Sequence, residues 1–164
     1  MKTLVLVRHA KSSLGASGTP DHDRVLDDRG RRDAPEMGSR MRARGIAPDL
    51  IIFSSAERAR TTAHLLAVAL HVSPERLRED KRIYASSPGK LMYLLQELDD
   101  ALSSVMLVGH NPEMSELAQH FRPDLPDMAT TAVVQFTFDL PSWRGIDRVE
   151  PLSVWFDFLK SDED

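Results

Sequence analysis

Three short apolar runs constrain the fold more than anything else in this sequence: "TLVLV" at 3–7, "LIIF" at 50–53 and "VMLV" at 105–108. Each is nearly continuous rather than alternating. That is the pattern of a strand covered on both faces, as in a parallel sheet held between helical layers. Helical patterns fill the intervals, which is what parallel neighbours require, because the chain must cross back over the sheet between them.

The first helix is expected over 30–45, weakened by Pro35 and Gly38, with Asp27 as a cap upstream and Gly45 as a stop. The clearest helix is 54–70, with Ala59, Thr62, Ala63, Leu66 and Leu70 on one stripe. Ser54 and Glu57 there have capping-box spacing. A helix at 87–100 buries Leu91, Leu94, Leu95 and Leu98, and one at 111–121 takes Asn111 as cap with Pro112 in its first turn. The last third alternates instead. "VVQFTFDL" at 133–140 puts Val134, Phe136, Phe138 and Leu140 on one side, and "SVWFDFL" at 153–159 repeats the pattern, as in an antiparallel pair. The fold class is a three-layer α/β domain with a mostly parallel sheet, helices on both faces and an antiparallel C-terminal strand pair. One domain is expected over residues 1–160, with "SDED" at 161–164 as an acidic tail.

Composition narrows the function classes. A formal charge of −4 argues against a nucleic-acid partner, so any cationic site must be local. The absence of cysteine excludes disulfides, thiolate nucleophiles and zinc–thiolate clusters. No run is long enough to span a membrane, and the apolar start is too short for a signal peptide. The expectation is a cytoplasmic protein without a membrane partner; its oligomeric state is unknown from sequence.

Ligands of parallel sheets bind beyond the carboxyl ends of the strands. After the first run come Arg8 and His9. The second is followed by Ser54, Ser55 and a helix carrying Arg58 in its first turn, and the third by Gly109, His110 and the helix capped by Asn111. Two arginines, two histidines and two helix starts all favour an anion, and no carboxylate falls at these strand ends. Guanidinium groups grip phosphate oxygens with paired N–H bonds. A neutral imidazole can attack phosphorus and hold it covalently. HExxH, the EF-hand pattern, GxxxxGK[ST] and GxSxG are all missing, so no metal or cofactor is expected and a serine hydrolase is disfavoured.

"LVRHAKSS", "SSAERARTTA" and "VGHNP" resemble the three signature segments of the histidine phosphatase superfamily, which includes the phosphoglycerate mutases. RHA followed by Lys and Ser, in a short chain, looks most like the SixA branch of phosphohistidine phosphatases. The stretch "DHDRVLDDRGRRDA" fits as well, so the likeness runs from residue 3 to about 115. The resemblance implies a phosphoglycerate mutase-like fold and a metal-independent hydrolase, a phosphatase. His9 would carry the covalent phosphate, Arg8 and Arg58 would clamp phosphate, and His110 would be the second histidine of the pocket. Residue spacing alone does not separate Arg58 from Arg60, which flank the apolar stripe on opposite sides; the family pattern selects Arg58. Ala10 stands where glycine is usual and is expected to bring a methyl group near the phosphate. Glu79 or Asp80 falls where many members carry a proton-donating carboxylate, without a matching local pattern.

The expected substrate is phosphohistidine on a signalling or phosphorelay protein. The alternatives are a small phosphate ester, as for a phosphomonoesterase, or a non-catalytic phosphate-recognition module. His64, His71 and His120 read as structural or surface residues, and His22 among Asp21, Asp23, Asp27 and Asp28 as part of a solvated, cap-rich loop. Lys11, Ser12 and Ser13 are candidates for the pocket entrance. Trp143 and Trp155 read as packing groups, and the arginines of 30–45 as a solvated face.

Overall fold

The structure, a computed structural model, describes residues 1–160. The chain runs β1 (Lys2–Arg8), α1 (Asp28–Ala43), β2 (Leu50–Phe53), α2 (Glu57–Leu70), β3 (Leu77–Glu79), α3 (Pro88–Gln96), β4 (Ser104–Gly109), α4 (Glu113–Phe121), β5 (Val133–Phe138) and β6 (Ser153–Asp157). One six-stranded sheet has the order β3-β2-β4-β1-β5-β6. The first four of these run parallel, and β5 and β6 join antiparallel. The α/β class with its antiparallel C-terminal pair is therefore as the sequence indicates. The tail at 161–164 lies outside the described residues.

Both faces of the sheet are covered, which is why β1, β2 and β4 are apolar at nearly every position. Val5, Val7, Ile51, Phe53, Met106 and Val108 pack against α1 and α2. Leu4, Leu6, Ile52, Val105 and Leu107 pack on the other side against α3, α4 and the 3-10 segment Trp143–Arg148. Trp143 is fully buried there, and its Nε1 donates to the Leu102 carbonyl at 2.8 Å. Trp155 is partly buried and stacks under the Arg44 guanidinium, so both tryptophans are packing groups. None of the helices among the described residues is long and apolar enough to cross a membrane.

Local chemistry sets the helix ends, with some corrections. Asp27 caps α1 through Gly30 N, and Gly45 ends its turn at φ +87°, a left-handed conformation that costs glycine little. The expected Ser54–Glu57 capping box does not form: α2 begins at Glu57 with Ala56 in the cap position, and the Ser54 hydroxyl, two residues upstream of it, bonds Ala56 N and His110. Asn111 lies one residue before Pro112, the residue that precedes α4, yet its Oδ1 still accepts from Ser115 N. Helix α3 stops at Gln96, short of the expected 100, and Leu98 packs from the following turn. Strand β3 has no apolar run to announce it, being three residues at a sheet edge.

Candidate active site

The register of the sheet brings the strand ends together. Arg8 is level with Gly109, and Phe53 with Val108. Pairing continues past each strand: His9 N donates to Gly109 O at 3.0 Å, and Ser54 N donates to Val108 O at 3.1 Å. His9 and His110 are thereby fixed as neighbours, with ring centroids 5.2 Å apart. They line one cleft of about 470 Å³ together with Arg8, Arg58, Lys11, Ser12, Arg24, Asn111 and Thr130. A larger cleft of about 610 Å³ beside α3 carries Glu97, Asp99 and Asp100, which would repel an anion; chemistry, rather than size, singles out the smaller one.

Each side chain in this cleft is held from behind. His9 Nδ1 lies 2.8 Å from the Ala10 carbonyl oxygen, which can only accept. The proton therefore sits on Nδ1, and Nε2 keeps its lone pair. Ala10 N in turn donates to the buried Thr62 hydroxyl, which donates to the Arg58 carbonyl; one side chain of α2 thus anchors the residue after His9. Arg8 Nη1 donates to Met128 O at 3.0 Å. His110 Nε2 meets Ser54 Oγ at 2.8 Å, and that oxygen also accepts from Ala56 N. Arg58 donates from Nη1 to the Asp21 carbonyl and from Nη2 to the Asp21 carboxylate. Among the described residues, the buried side-chain nitrogens without a hydrogen-bond partner are Arg8 Nε, Arg58 Nε and His110 Nδ1, all belonging to residues of this cleft.

Burial dominates the electrostatics. It pushes the His9 imidazole down to about 3, and His110, Arg58 and Arg8 add to that repulsion, while the bond to Ala10 opposes it. His110 falls to about 4, again mainly through burial, then through Arg58 and Arg8, partly offset by Asp21. Both rings are neutral near pH 7. The site thus presents two guanidinium charges and two neutral imidazoles, a set suited to an oxyanion, with a free nitrogen lone pair beside it.

A model of the histidine phosphatase superfamily (branch 1) matches residues 4–84, the segment holding Arg8, His9 and Arg58. An uncharacterized protein of Mycobacterium tuberculosis is 38% identical over 112 residues, which is 68% of this chain and 67% of that protein. The chain belongs to the histidine phosphatase superfamily. Within that superfamily it is similar to a structure from Agrobacterium tumefaciens provisionally assigned as a phosphohistidine phosphatase, SixA: 26% identical, covering 82% of this chain and 90% of that one, with a TM-score of 0.74. The fold is shared with a mycobacterial glucosyl-3-phosphoglycerate phosphatase as well, at 18% identity, 96% and 97% coverage and a TM-score of 0.68. Membership indicates a phosphatase, and the likeness to SixA places it in the SixA-type branch.

For a histidine phosphatase, the expected residues stand as follows. Arg8, His9, Arg58 and His110 come together in one cleft. Arg60 does not: it is exposed and pairs with Glu79 away from the cleft. Glu79 is thus occupied at the sheet edge and Asp80 is tied to Arg82, so neither reaches the cleft. The Ala10 methyl does not narrow the pocket, because it is fully buried against Leu26 and Ala34. Lys11 and Ser12 do line the entrance, with Ser12 Oγ accepting from Arg24 Nη2. His64, His71 and His120 are exposed and remote from it. His22 bonds Ser55 Oγ and packs edge-on against Tyr84.

Four contributors escaped the sequence reading: Asp21, Tyr84, Thr62 and Ser54. A carboxylate does approach Arg58, but from the loop after β1 rather than from a strand end. Thr62 does lie on the buried stripe of α2, and its hydroxyl there links the helix to His9's neighbour Ala10; the Ser54 hydroxyl meets His110 instead of capping α2.

Proposed function

We propose that this protein is a metal-independent phosphohistidine phosphatase in which His9 is phosphorylated during turnover. The observation that carries the reading is the Nδ1–Ala10 carbonyl bond, which leaves His9 Nε2 unprotonated beside His110, Arg8 and Arg58. Nε2 attacks phosphorus, the bond between phosphorus and the substrate's imidazole nitrogen breaks, and that nitrogen takes a proton from water. As the His9 ring becomes positively charged, its Nδ1–H bond to Ala10 O strengthens. Water then attacks the phosphoenzyme, releasing inorganic phosphate and restoring the imidazole.

Arg8 and Arg58 stay charged throughout and stabilise the equatorial oxygens. In the His110 tautomer whose Nε2 accepts from the Ser54 hydroxyl, the ring proton resides on Nδ1, the buried nitrogen without a protein partner, and can donate to a phosphoryl oxygen. Among the described residues, the only carboxylate that hydrogen-bonds these four side chains, Asp21, is held ionised by Tyr84 and Arg58 and is a poor general acid. An alkoxide leaving group needs such an acid; a leaving imidazole can be protonated by water. This favours a P–N bond over a P–O bond.

Two measurements test the reading. Labelled phosphate from a phosphoramidate should be trapped on the wild-type protein and not on His9→Ala; absence of label under any substrate favours a non-catalytic phosphate-recognition module. Turnover of a phosphoramidate should exceed that of an alkyl phosphate, and the reverse order would favour a phosphomonoesterase.

A further inference from the structure

We propose that Asp21 is a positioning residue that fixes the orientation of Arg58 for the bound oxyanion, an inference resting on the reading of Arg58 as a phosphate clamp. Asp21 belongs to a short 3-10 helix, Asp21–Asp23, in the long connection between β1 and α1. It contacts Arg58 twice with different groups: its carbonyl accepts from Nη1 at 2.7 Å, and its Oδ2 accepts from Nη2 at 3.0 Å. Two bonds to a planar fork define the plane of the guanidinium. Of the three N–H donors that remain, the one on Nε is buried without a protein partner in a residue that lines the cleft.

Asp21 is itself braced. Tyr84 Oη donates to Oδ2 at 2.6 Å, and Arg24 Nη1 donates to Oδ1 at 3.0 Å. The Tyr84 ring also packs edge-on against His110 with centroids 5.6 Å apart, so the same brace touches the second histidine. A half-exposed carboxylate next to a phosphate site is otherwise a liability, since it repels the ligand. Its three hydrogen bonds from Arg58, Tyr84 and Arg24 indicate that it serves orientation at the cost of that repulsion.

This conflict of signs makes the idea testable. Charge alone predicts that removing Asp21 tightens anion binding; positioning predicts that it weakens. The dissociation constant of inorganic phosphate is measured by calorimetry on wild type, Asp21→Ala, Asp21→Asn, Arg58→Ala and the double variant Asp21→Ala with Arg58→Ala, after thermal unfolding has shown which variants are folded. Asp21→Ala should weaken phosphate binding about tenfold, the scale of one or two charge-assisted bonds. Asp21→Asn, which keeps an accepting oxygen, should recover part of the loss. In the Arg58→Ala background, removal of Asp21 should change nothing further. Unchanged or tighter binding in Asp21→Ala overturns the proposal, as does an effect that persists in full without Arg58. If Asp21→Ala does not fold, Asp21→Asn decides by the same criterion. Unchanged binding in Arg58→Ala itself would overturn the clamp reading and this inference together, whereas loss there with none in the Asp21 variants removes only the inference.

Discussion

His9 and His110, which come from the ends of neighbouring parallel strands, stand with ring centroids 5.2 Å apart and planes tilted by 56°. Both are 7% exposed, and among the described residues neither ring hydrogen-bonds a carboxylate. Their hydrogen bonds set them up differently. One ring gives its Nδ1 proton to a carbonyl and keeps a nucleophilic lone pair; the other meets a serine hydroxyl through Nε2 and has Nδ1 free of protein partners. The different hydrogen-bonding states of the two neutral imidazoles are therefore set by second partners, Ala10 and Ser54, rather than by the rings themselves.

Acid should destabilise this protein well above the usual carboxylate range. The folded values of His9 and His110, about 3 and about 4, lie below the unfolded value of about 6.5. Between these limits the unfolded chain binds more protons than the native one. The stability these rings contribute is thus complete above pH 6.5 and is lost progressively as pH falls toward the folded values. The slope approaches about 1.4 kcal/mol per pH unit for each ring. Urea unfolding at pH 7 and pH 5 should show this loss, and His9→Asn should reduce it. Equal stability at the two pH values would mean that the rings are not buried neutral.

Thr62 makes a second prediction. It is fully buried, accepts from Ala10 N and donates to the Arg58 carbonyl. Thr62→Val retains the shape but orphans the Ala10 N–H, at a cost of about 1–3 kcal/mol in denaturant unfolding. Because Ala10 O holds His9 in its tautomer, kcat should also fall. Wild-type stability in this variant would show that the Ala10 N–H has another partner.

Thr62 and Ser54 also show where the sequence stops being legible. Strands β1, β2 and β4 were legible because burial on both faces leaves a continuous apolar run, and their ends then located Arg8, His9 and His110. Thr62 and Ser54 were not, because a hydroxyl on an apolar stripe or ahead of a helix has several possible partners, and only the fold chooses among them. Asp21 comes from a connection whose path no periodicity predicts. Strand β3 is short and exposed at two of its three positions, so its hydrogen bonds to β2, not its hydrophobicity, define it.

Arg58 and Arg60, which residue spacing alone could not rank, should separate by experiment. Arg58 is buried in the cleft, while Arg60 is exposed and paired with Glu79. Arg58→Ala should lower kcat/KM for an aryl phosphate by about 100-fold or more, the scale for losing a preorganised donor. Arg60→Ala should stay within about twofold, since exposed ion pairs contribute little. Comparable losses in the two would contradict the assignment.

Gly30 supplies the last prediction, which concerns how α1 supports the cleft. It is the third residue of α1; its N–H is capped by Asp27 Oδ1 at 2.8 Å, and Asp27 N donates to the Lys11 carbonyl. A Cβ at residue 30 would overlap that same Lys11 carbonyl oxygen. Helix start and cleft strap therefore meet backbone to backbone, and Lys11 and Ser12 lie on the cleft side of the strap. Helix propensity alone would make Gly30→Ala stabilising by about 1 kcal/mol. The overlap is with backbone rather than with a yielding side-chain tip, so overpacking of about 1–3 kcal/mol should prevail, with the strap displaced and kcat/KM reduced. Gly89→Ala in α3 is the matched control, because nothing lies within 4 Å of its new methyl. That variant should be neutral or more stable with full activity. If Gly30→Ala behaves like Gly89→Ala in thermal unfolding and turnover, the strap is not held by this contact.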